Sequence, residues 1–129
     1  MKRAADLMND ELRVLIAEDQ GWVNFIGRTD AESEFYPELF RTGDLIARNV
    51  AIHSNGLHHH VPNYPADLNA IREVVLSLNY KLRNRYLNVL CDLTREEDMD
   101  DVDADFAWCD ASARQRAEAY AITKGLALP

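Results

Sequence analysis

The sequence predicts an α-rich α+β fold, with about four helices and a small irregular antiparallel β element in the middle segment. Two observations carry that class. Apolar residues recur at three- and four-residue spacing near the N-terminus and again from Pro65 onward, as in helices that bury one face. Residues 23 to 63 lack that period and hold short runs with the residue types of strands.

The first helix is expected from about Asp10 to Asp19, with Leu12, Leu15 and Ile16 inward and Met8 extending the face. Asn9 or Asp10 is the expected cap, and Gly21 the expected left-handed terminator ahead of a core Trp22. Next, "WVNFIG" reads as a short strand and "YPELFRTG" as a helical turn opened by Pro37. "LIARNVAIH" alternates through Ile46, Val50 and Ile52 as a strand does, and "SNGLHHHVPNYP" has the composition of a loop.

Pro65 is tolerated in the first turn of a second helix, whose stripe is Leu68, Ile71, Val75 and Leu78. A further stripe follows at Leu82, Tyr86, Val89, Leu90 and Leu93, with Asn79 as its cap. The two stripes fit either one kinked helix or a helical hairpin. "TREEDMDDVDAD" then reads as a solvated acidic loop. The last helix opens on a capping box of Ser112 and Gln115 and closes at Gly125. Its narrow face of Ala117, Tyr120 and Ala121 permits close packing.

The chain has 129 residues, read as a single domain spanning 1–129, long enough to bury a core without disulfides or metal. No apolar run reaches the roughly 20 residues needed to span a bilayer. The opening "MKRAADLMNDEL" lacks the apolar stretch of a signal peptide, so the cytoplasm is the expected compartment. The two cysteines, Cys91 and Cys109, form no CxxC pair. A net charge of −8 opposes nonspecific nucleic-acid binding and allows attraction to a basic partner surface.

Three segments in order, "IAEDQGW", "VPNYPADLNAI" and "ASARQRAEAYAITKGL", resemble small phage and prophage proteins of the phage ABA sandwich domain family. The resemblance rests on Gly21 and Trp22, on Val61, Pro62 and Tyr64, on Asp67 to Ala70, and on Ala111 to Tyr120. It implies a phage or prophage setting and brings no catalytic residues.

Three groups of residues are candidates for a site. Seven carboxylates, Glu96, Glu97, Asp98, Asp100, Asp101, Asp103 and Asp105, could mimic the phosphates of nucleic acid and dock on a protein. They do not make a calcium loop, since "DMDDVDADFAWC" lacks the glycine at its sixth position and the terminal Glu. Tyr64 and Asn69 could line a pocket for a small nucleotide-like ligand. His58 and His60 could share a face and, with Asp67 or His53 as a further ligand, hold a metal, although no HExxH-type spacing is present. Nucleophilic catalysis has little to build on: Ser54 near His53 and Cys91 beside Asp92 are neighbours in sequence and not a triad.

The sequence thus favours a non-enzymatic phage or prophage accessory protein that binds a host or phage protein. It would inhibit, for example, a nucleic-acid-handling defence complex through its acidic surface. A ligand-binding module is the alternative, and a histidine-based metalloprotein the third reading. No cofactor and no membrane partner are expected, and a homo-oligomer is allowed.

Overall fold

The computed structural model describes residues 1–26, 50–52 and 58–129, and of residues 23–26, 50–52 and 58–60 it describes the backbone alone. Among the described residues the α-helices are α1 (Asn9–Asp19), α2 (Leu68–Leu76), α3 (Tyr80–Thr94), α4 (Asp101–Cys109) and α5 (Ala113–Thr123). A 3-10 turn, Ala4–Asp6, precedes them.

Local chemistry explains where each helix starts and stops. Met8 occupies the cap position of α1, and its N–H donates to Glu11 Oε1 at 3.2 Å. Asn9 and Asp10 therefore lie inside the helix and do not cap it. At the other end Gly21 takes φ 90°, a conformation that costs a residue with a Cβ about 1–2 kcal/mol. This lets Gly21 N–H reach Glu18 O at 3.1 Å and Trp22 N–H reach Ala17 O at 3.0 Å, which satisfies two terminal carbonyls. α5 ends in the same way at Gly125, whose φ is 72°, with Gly125 N–H on Ile122 O at 3.1 Å and Leu126 N–H on Ala121 O at 2.8 Å.

Asp67 is the cap of α2, its Oδ1 accepting from Asn69 N–H at 2.9 Å and Ala70 N–H at 3.3 Å. Ser77 to Asn79 break the chain, so α2 and α3 are separate helices, and Asn79 Oδ1 accepts from Leu82 N–H at 3.0 Å. The capping box of α5 is formed: Gln115 N–H donates to Ser112 Oγ at 3.1 Å and Ser112 N–H to Gln115 Oε1 at 3.0 Å.

The core sits around α5, which packs against α1, α2 and α3. Its buried residues are Ala113, Ala117, Ala119, Tyr120, Ala121, Ile122 and Thr123. Small side chains on most of that surface let the other helices approach on several sides. They meet it with Leu12 and Ile16 of α1, Ile71 and Val74 of α2, and Tyr86 and Leu90 of α3. Burying each of the larger aliphatic side chains contributes about 1.5–3 kcal/mol.

Three arginines hold the connections to this body. Arg13 is buried and donates through Nε to Pro62 O at 3.0 Å and through Nη2 to Val61 O. Arg114 donates to Ala4 O at 2.9 Å and Leu7 O at 2.6 Å, which ties the N-terminal segment to α5. Arg116 donates to Ala111 O at 3.0 Å and Cys109 O at 2.8 Å, which fixes the turn between α4 and α5. The end of the chain runs beside its start, with Ala4 N–H on Leu128 O at 2.8 Å and Leu128 N–H on Lys2 O at 3.0 Å.

The expected class, α-rich α+β with about four helices and a small β element, is corrected by this arrangement. The body built by the described side chains is helical and has five α-helices. The additional helix is α4, which forms inside the acidic run because Asp100 Oδ1 accepts from Asp103 N–H at 2.7 Å and Asp101 and Asp103 complement the helix dipole. Beside the helices, three short backbone segments pair antiparallel, β1 (Val23–Ile26), β2 (Val50–Ile52) and β3 (His58–His60), in the order β1-β2-β3. They do not set the class, which follows from helix-on-helix packing. The helical turn expected at "YPELFRTG" lies outside the described residues. Among the described residues, no helix is long and apolar enough to cross a membrane.

Candidate functional site

The acidic segment divides into a short connection and a helix. Its first part follows α3, where Arg95 Nη2 donates to Met99 O at 3.3 Å and lies 3.7 Å from Asp101 Oδ1. Asp98 takes φ 63°, a left-handed conformation that Asp tolerates better than most residues with a side chain. Asp101, Asp103 and Asp105 then belong to α4, so the solvated loop expected from Glu96 to Asp105 is corrected to a turn followed by a helix.

All seven carboxylates of the segment are exposed. The helix is turned so that Ala104, Ala107 and Trp108 are half-buried, with Trp108 Nε1 donating to Asp105 Oδ1 at 3.3 Å. At 100° per residue the opposite pole of α4 falls on Val102 and Phe106. Both are apolar, and they are 64% and 72% exposed. Residues four apart are neighbours on a helix surface, so these two side chains form one outward ridge. Asp101 and Asp105 lie on one flank of it, and Asp103 and Asp110 on the other. An apolar centre within a charged rim is the arrangement by which proteins anchor and orient a protein partner. This ridge is absent from the sequence-based expectations. Its signal was the four-residue spacing of Val102 and Phe106 inside the acidic run.

Among the described residues, Tyr64 and Asn69 line different pockets. Tyr64 is buried and lines a cavity of about 280 Å³ with Gln20, Trp22 and Glu73. Burial pushes its hydroxyl up, while a hydrogen bond with Trp22 and the charge of Arg13 act the other way. Asn69 lines a different cavity, of about 400 Å³, with residues of α3 and α5. The separation follows from helix geometry, since Asn69 lies on the outward face of α2 and Tyr64 packs in the core.

His53 lies outside the described residues, and for His58 and His60 only the backbone register is described: His60 opposite Val50 and His58 opposite Ile52. Among the described residues, no group of three or more His, Cys, Asp or Glu could hold a metal ion. Ser54 also lies outside the described residues. Burial, together with the charges of Asp105 and Asp92, pushes the Cys91 thiol up and keeps it protonated near neutral pH, which disfavours it as a nucleophile.

The segments that carried the family resemblance have structural roles in this fold. Trp22, Val61, Tyr64, Ala111, Ala113, Ala117, Ala119 and Tyr120 are all buried, and Asp67 caps α2. No family model, no curated protein and no solved structure matches the chain.

Proposed function

We propose that the chain is a non-enzymatic binding protein whose docking surface is the outward face of α4 and the turn before it. The occupant is a protein with a basic rim around an apolar depression, such as a groove that otherwise holds nucleic acid. One observation carries this reading: an exposed Val102–Phe106 ridge is flanked by Asp101, Asp103 and Asp105, in a segment whose seven carboxylates are all exposed. Charge steers the encounter and selects the partner, and the ridge supplies apolar contact that a purely ionic surface lacks. The resemblance of three segments to phage and prophage proteins supports a phage or prophage accessory role in the cytoplasm of a bacterial host. In that setting the partner is a host or phage protein, with a nucleic-acid-handling defence complex as the leading candidate.

The test is affinity capture from host lysate at low and high salt, followed by titration of the captured partner with variants. Joint reversal of Asp101, Asp103 and Asp105 to Lys should abolish binding. Phe106→Ala should weaken it about tenfold or more, as loss of an anchor does, with α-helical content unchanged. Binding that survives charge reversal and keeps its salt dependence overturns the proposal.

A further inference from the structure

A pocket of about 400 Å³ opens where α2, α3 and α5 meet, and the charged side chains lining it are both arginines, Arg72 and Arg116. Two cations at one pocket run against the chain's net charge of −8. Arg116 is held in place, because its Nε and Nη2 are committed to Ala111 O and Cys109 O at 3.0 and 2.8 Å. Its Nη1 is not committed to either carbonyl. Arg72 is exposed and carries no ion pair among the described residues.

Tyr86 lines the same pocket and is only 3% exposed. Among the described residues its hydroxyl is the one buried side-chain polar atom without a partner in hydrogen-bond geometry. Buried polar atoms are satisfied in the great majority of cases, so an orphan of this kind calls for a partner. Arg116 acts on that hydroxyl through its charge and through a side-chain contact whose alignment falls short of a hydrogen bond, although burial dominates. The remaining wall is largely apolar and includes Leu76 and Leu87, 54% and 40% exposed.

We propose that this pocket binds a small organic monoanion, a carboxylate carried on a compact apolar body. Arg72 and Arg116 take the carboxylate, the Asn69 amide and the Tyr86 hydroxyl complete its hydrogen bonds, and Leu76 and Leu87 cover the apolar part. The planar guanidinium matches a carboxylate with paired N–H donors. A phosphate dianion would meet the repulsion of an acidic chain and leave the apolar wall unused. The volume falls in the range of about 300–1,000 Å³ usual for small-molecule sites. This site is separate from α4 and does not rest on the partner-binding reading.

Titration of the full 15N-labelled chain with phenylacetate, followed by amide shifts, tests the proposal. Saturable shifts are expected at Asn69, Arg72, Tyr86, Leu87 and Arg116. Phenylacetamide and inorganic phosphate should each bind at least about tenfold more weakly, the loss expected for one charge-assisted hydrogen bond. Arg72→Glu, at an exposed position, should abolish the shifts without unfolding the chain. Tyr86→Phe should weaken binding without lowering the melting temperature, which separates a ligand contact from a structural role. Absence of saturation, an equal response to phenylacetamide or phosphate, or binding unchanged in Arg72→Glu overturns the proposal.

Discussion

The hydroxyl of Tyr120 donates to the carboxylate of Asp19, joining α5 to the last residue of α1 across 101 positions of sequence. Gln20 Nε2 donates to the same hydroxyl at 2.8 Å, and Lys124 Nζ lies 3.7 Å from Asp19 Oδ1. Tyr120 is fully buried, and the side chain of Asp19 is 14% exposed. Removing the hydroxyl therefore leaves a nearly enclosed carboxylate short of a donor. Tyr120→Phe should lower unfolding stability by about 1.5–3 kcal/mol, the range for a hydrogen bond to a charged group. Urea denaturation measures this, and a loss below about 0.5 kcal/mol would show that water replaces the bond.

Tyr64, Tyr86 and Tyr120 share an alkaline liability. Each is raised above the ordinary value of 10.0, chiefly by burial, and Tyr120 is raised further by the Asp19 carboxylate. The folded chain thus keeps phenolic protons that the unfolded chain releases. Their contribution to stability is fully present below about pH 10 and is lost as pH rises from there through the folded-state values. Each group adds a slope of up to about 1.4 kcal/mol per pH unit in that window. Denaturation midpoints between about pH 9 and pH 11.5 should fall progressively, and more gently in Tyr120→Phe.

Helix ends were the most legible part of the fold. Gly21, Gly125, Asn79 and the Ser112–Gln115 pair act where the sequence placed them, because capping depends on a few adjacent residues. Burial was harder to read. Leu68 sits on the stripe of α2 yet is 54% exposed, whereas Val74, off that stripe, is buried at 5%. Periodicity defines a helix face but not which part of it a neighbour covers. The anchoring roles of Arg13, Arg114 and Arg116 are absent from the sequence expectations, because such bonds to backbone carbonyls carry no local signal. In the candidate site the carboxylates were legible, but the helix and its apolar pole were hidden by the charge that surrounds them.

α4 should be the least protected helix of the body. None of its residues is buried, whereas α3 and α5 bury Tyr86, Leu90 and Tyr120. Elements with few buried contacts open at lower free energy than the global unfolding. Native-state hydrogen exchange should find the α4 amides exchanging faster than those of α3 and α5. Asp100→Ala removes the cap and should reduce local α4 stability by about 0.5–2 kcal/mol. Equal protection in α4 and α5 would mean that α4 unfolds only with the whole chain.

The alanine-rich surface of α5 should tolerate little added volume. Ala117, Ala119 and Ala121 are completely buried between neighbouring helices. Added methylene groups force side chains off their rotamers or move the backbone, typically at about 1–3 kcal/mol. Ala117→Leu should lower stability by that amount or more, and Ala117→Gly by about 1 kcal/mol through helix propensity, with a further small cavity loss. Thermal unfolding of the pair distinguishes steric crowding from propensity, since only crowding makes the larger residue the worse one.

Arg114 provides the sharpest test of how the N-terminal segment is held. Its Nη1 donates to Asn9 Oδ1 at 2.7 Å, its Nη2 to Ala4 O and Leu7 O, and its Nε to Glu118 Oε1 at 2.8 Å. These acceptors lie in different directions, and the planar fork of guanidinium N–H donors reaches them together. Lysine keeps the charge but offers one compact ammonium, which cannot span the same set. If charge alone mattered, Arg114→Lys would be nearly silent. Because geometry matters, Arg114→Lys should cost about 1–3 kcal/mol, from acceptors left short of a donor. Exchange at the amides of Leu7 and of Leu128, whose N–H bonds to Lys2 O, should accelerate in the same variant. A stability change under about 0.5 kcal/mol with unchanged exchange there would show that packing of Ala4 and Leu7 holds the segment without the arginine.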